Sequence, residues 1–324
     1  MKKKILKIFP ILTHDCTFRC RYCEAYKDKK KMRERTIVRL AEMLNDVAGR
    51  FEKVEVCFFG GEPLLEFSLI KRCAGLVGGK NIRLSLITNG SLLDRKKADY
   101  LIKNNIHIRI SIDGGKLTQG KNRIALKGDS HDIVSKKIAA LGPKLVAQNR
   151  FTALMTVHPD TAPSLGSDFL HLIELGFRNF SISPAISGKD AWRWNIGDLA
   201  ILASELRKVR KITSDLKAAG LKLDFIKIAS KQAKLSEWVG NENIGIDTDG
   251  NIYSTDSFLI LPEKKRPELL LGNVFSVEDF SGIYAKRKSK EQIALALTGG
   301  GRYLAACDRA LESLKVIRGE LKKI

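Results

Sequence analysis

The chain has 324 residues, of which 44% are hydrophobic, so it can bury a sizeable core and has the length of about two domains. Lysine and arginine total 57 against 36 aspartate and glutamate residues, and the formal charge of +21 attracts anions such as nucleic acid, acidic peptides or acidic electron carriers. No apolar run approaches the roughly 20 residues of a membrane span, which excludes a membrane-spanning helix.

The first residues, Met1–Pro10, begin with the basic end of a signal peptide. The apolar stretch that follows is short, and no small-residue cleavage site comes after it. We therefore expect a cytoplasmic protein. Six cysteines in such a chain are not expected to form a secreted disulfide framework.

Apolar runs rich in β-branched residues alternate with amphipathic stretches in the first half of the chain. The predicted strands are Ile5–Leu12, Val54–Phe59, Ile82–Ile87, His107–Ile112, Phe151–Val157 and Phe177–Ser183. The predicted helices between them are Glu34–Arg50, Glu66–Val77, Asp94–Asn104, Asp132–Leu141 and Thr161–Leu175. This alternation predicts parallel strands with crossover helices, in the α/β class.

Polar and glycine-rich motifs follow these strands at their carboxyl ends, where chemistry gathers in parallel sheets and barrels. In chain order they are Cys16–Cys23, Gly60-Gly61-Glu62-Pro63, Thr88-Asn89-Gly90, Ser111 with Asp113-Gly114, and Pro184. The polar segment Lys116–Asp129 predicts a loop over the barrel mouth.

The cysteine run is Cys16-Thr-Phe-Arg-Cys20-Arg-Tyr-Cys23, with C-x3-C-x2-C spacing. Three thiolates this close in sequence can converge on one metal centre, and soft sulfur ligands select zinc or an iron–sulfur cluster. A zinc site would take His14 or a distant residue as its fourth ligand. A cubane cluster held by three cysteines would keep one iron open for a small molecule. The spacing alone leaves both alternatives open.

The arrangement resembles the radical S-adenosylmethionine (SAM) superfamily in four motifs. That family places C-x3-C-x-aromatic-C after the first barrel strand, and Tyr22 stands at the aromatic position. The family also has Gly-Gly-Glu after strand two, Thr-Asn-Gly after strand three and Ser-Ile-Asp-Gly at strand four. This chain has the same three motifs at these positions. The resemblance covers about Ile8–Pro184 and implies a partial (βα)6 TIM-type barrel over residues 1–190.

The resemblance implies one [4Fe–4S] cluster on Cys16, Cys20 and Cys23, with SAM as the second cofactor. Reduced, such a cluster cleaves SAM to a 5′-deoxyadenosyl radical, which abstracts hydrogen from a substrate. The residues that the resemblance implies for SAM binding are Tyr22, Gly60, Gly61, Glu62, Pro63, Asn89, Ser111, Asp113, Arg150 and Pro184.

Individual roles follow from the chemistry of SAM. Gly60 and Gly61 lack a Cβ, so their backbone can approach the methionyl part. Glu62 can accept hydrogen bonds from its amino group. Ser111 and Asp113 have the ribose-binding positions of the family.

Three further positions have less specific roles. Tyr22 is expected to pack near the adenine. Arg150 either pairs with the SAM carboxylate or is a surface arginine at a strand entrance. The turn His158-Pro159-Asp160 begins a helix, with a role in proton transfer as the alternative. The isolated cysteines Cys57, Cys73 and Cys307 are interpreted as small buried hydrophobes.

The C-terminal part predicts a different organisation. A long helix, Ile196–Ala219, leads through a linker of residues 191–240. Ile244–Asp247 and Asn251–Ser254 flank the hairpin signal Thr248-Asp249-Gly250. We assign residues 241–324 to a second, smaller α+β domain.

This domain resembles the SPASM domain of peptide- and protein-modifying members such as anaerobic sulfatase maturases. Its framing phrases are Ile246–Tyr253, Leu271–Val274 and a helix near Val277–Arg287. Ser254 and Thr255 stand where that family places a cluster ligand. An auxiliary cluster needs several thiolates, so we expect a cluster-free, SPASM-like remnant.

The expected substrate is therefore a peptide or protein, and the expected electron donor is an acidic flavodoxin or ferredoxin. One alternative is radical SAM chemistry on RNA or a small metabolite, although no aromatic-rich RNA-binding signature accompanies the scattered basic residues. Another is a non-catalytic zinc- or cluster-binding module.

Overall fold

The computed structural model describes residues 5–25, 27–185, 194–225, 243–261, 263–278, 280–289, 292–293, 296–297 and 312–323. Within these ranges, none of the helices combines the length and the apolar character that crossing a membrane would require. The domain boundaries expected near residues 190 and 240 fall in or beside segments outside these ranges.

The described chain contains strands of two to nine residues and helices that alternate with them. The strands are β1 (Ile5–Thr13), β2 (Phe18–Cys20), β3 (Lys53–Gly60), β4 (Ile82–Thr88), β5 (His107–Ser111), β6 (Arg123–Ala125), β7 (Phe151–Val157), β8 (Asn179–Pro184), β9 (Asp224–Phe225), β10 (Ile244–Ile246), β11 (Asn251–Tyr253) and β12 (Leu270–Asn273). The α-helices are α1 (Glu34–Ala48), α2 (Phe67–Leu76), α3 (Arg95–Lys103), α4 (Lys116–Asn122), α5 (Ser130–Leu141), α6 (Pro143–Val146), α7 (Leu165–Glu174), α8 (Ile196–Ala218) and α9 (Phe280–Ala285). Short 3-10 helices are Pro63–Glu66, Pro159–Ser164, Asp256–Ile260 and Glu263–Leu269.

Ten strands form one sheet in the order β12-β11-β10-β1-β3-β4-β5-β7-β8-β9. Pairing is parallel from β10 through β1 to β9, and antiparallel between β10, β11 and β12. The six strands predicted from the sequence all form, joined by crossover helices, which confirms the α/β fold with a partial TIM-type barrel. The β-branched residues on one face of each strand pack against the helices and drive this arrangement.

The segment predicted as a loop over the barrel mouth is structured instead. It forms α4 and then β6, which pairs antiparallel with β2 in a separate two-stranded sheet. Because β2 belongs to the cysteine run, this pairing ties the predicted loop to the cysteines. Tertiary pairing thus overrides a composition that is typical of a loop.

The predicted hairpin forms, with Gly245 opposite Tyr253 and Ile246 opposite Ile252. Asp247 closes its turn, because the carboxylate accepts hydrogen bonds from the backbone N–H groups of Asp249 and Asn251, each at 2.9 Å. Strand β10 also pairs in parallel with β1, so the hairpin extends the barrel sheet next to the strand that leads into the cysteine run.

Candidate functional site

The three cysteines lie at the carboxyl edge of the sheet. Cys16 follows β1, Cys20 ends β2, and the backbone N–H of Cys23 donates to the Cys20 carbonyl at 3.1 Å. All three are free thiols. The β2–β6 pairing and a hydrogen bond from the Arg21 N–H to the Asn122 carbonyl, at 2.9 Å, hold the run in place.

Nitrogen donors point at two of the sulfur atoms. Cys16 Sγ accepts from the Phe18 backbone N–H at 3.5 Å and from Asn89 Nδ2 at 3.6 Å. Cys20 Sγ accepts from a guanidinium nitrogen of Arg123 at 3.9 Å. Such donors stabilise a thiolate that is bound to a metal.

Without a metal, burial raises the pKa of the Cys16 thiol and raises that of Cys20 to about 11. Both thiols are therefore protonated at neutral pH, and a metal must displace their protons on binding. The donor set, soft sulfur with N–H groups aimed at it, fits an iron–sulfur cluster.

The glycine turn after β3 packs on Thr13–Asp15, the residues that lead directly into the cysteine run. Gly60 has φ +127°, which favours glycine, and a Cβ there would lie 2.4 Å from the Thr13 carbonyl oxygen. A Cβ on Gly61 would lie 2.0 Å from the Asp15 carbonyl oxygen. The backbone N–H groups of Gly61 and Glu62 donate to Thr13 and Asp15 at 2.7 and 2.8 Å. The close approach that these glycines permit here is therefore to the backbone that leads into the cysteine run.

Replacing Gly61 with alanine is expected to destabilise the protein by about 1–3 kcal/mol, because the new methyl group must push the Asp15 backbone away. Since Cys16 follows Asp15, iron retention should fall as well. Gly75→Ala is the matched control, because that glycine is exposed on α2 with no atom near its Cβ, and alanine there should stabilise the helix by up to about 1 kcal/mol. Urea unfolding and iron analysis measure both effects; equal behaviour of the two variants would contradict the tight packing.

Glu62 follows β3 and is fully buried, and its carboxylate accepts hydrogen bonds from residues at the end of β4. Oε1 accepts from the Thr88 hydroxyl at 2.7 Å and from the Leu64 N–H at 3.0 Å, while Oε2 accepts from the Asn89 N–H at 2.8 Å. Burial raises the pKa of Glu62, against the effect of these hydrogen bonds. Oε2 keeps acceptor capacity for one more donor. Pro63 is buried at the start of the following 3-10 helix.

Asp113 lies at the centre of the site's hydrogen-bond network, with its side chain fully buried. Oδ1 accepts from Arg123 and from the Thr156 backbone N–H, both at 2.9 Å. Oδ2 accepts from the Tyr22 hydroxyl at 2.8 Å and from Asn122 Nδ2 at 3.0 Å. A carboxylate has about four lone-pair positions, so protein donors use all of them.

Two residues expected to bind SAM make contacts with other protein groups in the structure. Asp113 was expected to bind the ribose, but its carboxylate is committed to holding the cysteine run, β6 and β7 together. Tyr22 was expected near the adenine, but its hydroxyl donates to Asp113, and the Arg123 guanidinium lies 5.2 Å from the centre of its ring. Both residues build the wall of the site in this structure.

Arg123 was not singled out from the sequence. Its side chain is 7% exposed, it forms a 2.9 Å ion pair with Asp113, and its Nε is buried without an acceptor among the described residues. That unpaired donor lies beside the cysteine run and suits a further acceptor there. The available signal was the short apolar run Ile124-Ala125-Leu126 directly after Arg123, inside a polar segment.

The remaining predicted SAM-binding residues divide into two groups. Ser111 ends β5, Pro184 ends β8, and Asn89 is buried after β4, so all three share the carboxyl edge with the cysteines. Arg150 instead precedes β7 at the opposite edge, where it donates to Asn105 Oδ1 at 2.5 Å. Residues that enter parallel strands lie opposite those that leave them, so the alternative of a surface arginine is the correct one.

Of the other predicted residues, His14, Cys57 and Cys73 are buried. The His14 ring is 5% exposed, its Nδ1 lies 3.0 Å from Asp28 Oδ1, and it lines a cavity of about 270 Å³ that the hairpin borders. Cys57 and Cys73 are buried, as predicted. Cys307 lies outside the described residues.

His158 is the N-cap residue of the 3-10 helix Pro159–Ser164, which follows β7. Its Nε2 lies 2.6 Å from Asn122 Oδ1, and burial lowers the pKa of His158 to about 4. The unfolded chain gains this proton near pH 6.5, so the folded state should lose stability as the pH falls from about 6.5 to about 4.

His158→Gln should remove about 3 kcal/mol of this acid-dependent loss, because glutamine does not protonate. The test is the free energy of unfolding, measured with urea at a series of pH values for the parent and the variant. Parallel pH profiles would show that His158 does not titrate in this way.

Comparison with known proteins agrees with this geometry. The model of the Radical SAM superfamily matches residues 11–183, which is more than half of the chain. The "uncharacterized protein MJ0907" of Methanocaldococcus jannaschii is 34% identical over 119 residues, which cover 35% of this chain and 39% of that protein. The "cysteine-type anaerobic sulfatase-maturating enzyme" of Clostridium perfringens is 26% identical over 178 residues, covering 50% of this chain and 47% of the relative.

The chain therefore spans less than half the length of the curated relatives that it matches. Among solved structures, "native anSMEcpe with bound AdoMet and Cp18Cys peptide" superimposes with a TM-score of 0.70 at 20% identity, covering 90% of this chain and 83% of that one. This likeness shows the fold, and the family match covers the cysteine run, the glycine turn and the strand ends described above. The chain belongs to the radical SAM superfamily.

Proposed function

We propose that this protein is an enzyme that reductively cleaves SAM at one [4Fe–4S] cluster and uses the resulting 5′-deoxyadenosyl radical to modify a peptide or protein. The observation that carries the proposal is the packing of the glycine turn on the backbone that leads into the cysteine run, with N–H donors aimed at two of the three sulfurs. In the proposal, Cys16, Cys20 and Cys23 hold the cluster. When bound, the cluster supplies the electron for SAM cleavage.

The separation of the thiols favours a cluster over a single zinc ion. In a tetrahedral zinc site, with Zn–S bonds of about 2.3 Å, the sulfurs lie about 3.8 Å apart. Among the described residues, the ligand atoms of Asp129, His131 and Asp132 all lie within 4.8 Å of one another. The three cysteine sulfurs do not all lie that close to one another. His14 is directed to Asp28 and the hairpin cavity, so it does not complete a zinc site either.

The chain's own residues orient SAM and limit its contact with water. Glu62, with acceptor capacity at Oε2, takes the amino group of SAM, and Ser111 takes a ribose hydroxyl. Asp113 keeps the surrounding wall rigid. Such preorganisation is the contribution that a protein makes to cofactor-based radical chemistry.

A peptide or protein substrate is favoured over RNA or a small metabolite. The name of the Clostridium relative states that it matures a sulfatase, and the solved anSMEcpe structure contains a peptide. The hairpin of the SPASM-like remnant forms as predicted and borders the strand that leads into the cysteine run. RNA remains the alternative because the chain carries a charge of +21.

An acidic flavodoxin or ferredoxin is the proposed electron donor. Arg19 and Lys29 are exposed beside the cysteine run, as are Lys30 and Lys31, which pair with Glu263 at 3.4 Å and Glu66 at 3.7 Å. Opposite charges on the partners would accelerate docking, and added salt would slow it. The five described cysteines are free thiols, which suits a reducing, cytoplasmic environment.

The test is anaerobic reconstitution followed by reduction with dithionite in the presence of SAM. We expect about four iron atoms per chain, the content of one cubane, and formation of 5′-deoxyadenosine. A colourless protein with one zinc per chain and no 5′-deoxyadenosine would refute the proposal. Precursor peptides and RNA added under the same conditions would separate the substrate classes by the mass change of each.

A further inference from the structure

Arg109 lies on the concave face of the partial barrel. Its neighbours Ile108 and Ile110 are fully buried in the main core, on the side of β5 that contacts α3. Side chains alternate along a strand, so Arg109 points away from the helices together with His107 and Ser111. It lies two residues, or about 6.6 Å, along β5 from Ser111 at the carboxyl edge.

Polar groups lie next to Arg109 on the neighbouring strands. It pairs in register with Ile87 on β4 and Thr152 on β7. Its Nε is buried without an acceptor, and within the described chain the guanidinium forms no ion pair. The Thr152 hydroxyl is already 2.8 Å from His107 Nε2.

Two neighbouring groups respond to this cation. Burial raises the pKa of the Cys57 thiol; the charge of Arg109 acts in the opposite direction, and the carboxylates of Asp256 and Glu55 act in the same direction as burial. Burial, together with the charges of Arg109 and Arg150, lowers the pKa of His107 to about 4. His107 is therefore neutral at pH 7, whereas Arg109 is charged.

A half-buried cation without a partner is unfavourable, since buried charges are normally paired. Arg109 is partly exposed, so a ligand can reach it. A guanidinium has a planar fork of donors that matches a carboxylate with two parallel hydrogen bonds. An anionic ligand would accept hydrogen bonds from the two terminal nitrogens, because Nε itself is buried from solvent.

We propose that Arg109 binds a carboxylate of the substrate on the concave face of the barrel, below the strand ends that carry the SAM-binding residues. This inference rests on the proposed function, because that function identifies the ligand as a substrate. It specifies an acidic side chain or a C-terminal carboxylate as the group that anchors the peptide.

The test is binding of two matched probes to the reconstituted full-length chain under anaerobic conditions. N-acetylglutamate N-methylamide carries the carboxylate, and N-acetylglutamine N-methylamide lacks it. Dissociation constants follow from the dependence of the thermal unfolding midpoint on probe concentration, at constant ionic strength. The parent should bind the glutamate probe about tenfold or more tightly than the glutamine probe, because charge-assisted hydrogen bonds are lost with the amide.

Arg109→Met should abolish this preference while keeping the side-chain volume, and Arg109→Lys should reduce it because the fork is lost. Arg83→Met is the control. Arg83 lies on β4 and on the same face of the sheet as Arg109, but it is exposed and donates to backbone carbonyls. The control should bind as the parent does. Arg109→Lys also serves as the second variant if the methionine variant does not fold.

Equal affinity for the two probes, or an unchanged preference in both Arg109 variants, would overturn the inference. Inorganic phosphate is the third probe: stabilisation by phosphate but not by the glutamate probe, lost with Arg109, would identify a phosphate receptor instead of a carboxylate receptor. These readouts do not require SAM cleavage. Failure of the inference is therefore distinguishable from failure to form 5′-deoxyadenosine.

Discussion

Cys20→Ala should abolish both the iron–sulfur cluster and the formation of 5′-deoxyadenosine. With one of the three thiolates removed, the iron content should fall from about four atoms per chain to a small fraction of that amount. The loss should exceed that of any other single change described here, because every later step depends on the cluster. Iron analysis, the visible absorption spectrum and chromatography of the products measure it.

Cys73→Ala is the matched control for this experiment. Cys73 is fully buried in α2 and belongs to the hydrophobic core, away from the carboxyl edge of the sheet. The control should retain iron and 5′-deoxyadenosine formation and lose only a modest amount of stability. Full iron content in Cys20→Ala, or equal loss in both variants, would show that the cysteine run does not hold the cluster.

Arg123→Met should lower the free energy of unfolding by about 3–5 kcal/mol, because it leaves the buried Asp113 carboxylate without its cation. The same change removes the donor to Cys20 Sγ and the guanidinium beside the Tyr22 ring. The effect should therefore extend to the cysteine run, and the variant should also retain less iron. Anaerobic urea unfolding measures the stability.

Arg95→Met provides the comparison, because Arg95 forms an exposed ion pair with Asp99 on α3 and should contribute less than about 1 kcal/mol. A double variant, Arg123→Met with Asp113→Asn, should be less destabilised than the sum of the single variants, since the two residues interact directly. An Arg123→Met variant as stable as Arg95→Met would contradict the central role of the buried pair.

The sequence predicted the elements of the barrel closely because their signals are local. The predicted strand Phe151–Val157 and the predicted hairpin both form as expected. The spacing of the apolar residues and the position of a turn-forming glycine can both be read within each segment. The predicted loop at Lys116–Asp129 failed because β6 forms only where β2 is available to pair with it.

The site could be predicted in its location but not in its hydrogen bonds. The motifs that follow the strands lie at one edge because parallel strands share a direction. The partners of Asp113 come from distant segments, namely Tyr22, Asn122, Arg123 and the Thr156 backbone. No local pattern distinguishes a carboxylate that holds the protein together from one that binds a ligand.

The amino-acid sequence by itself thus determined the α/β barrel, the three-cysteine motif and the edge of the sheet where the chemistry gathers. Only the tertiary structure decided that protein donors fill the Asp113 carboxylate, that Arg150 lies at the edge opposite the cysteines, and that Arg109 forms no ion pair with another described residue. The physical reason is that periodicity and spacing act along the chain, whereas hydrogen-bond capacity and charge pairing depend on residues that meet only when the chain is folded.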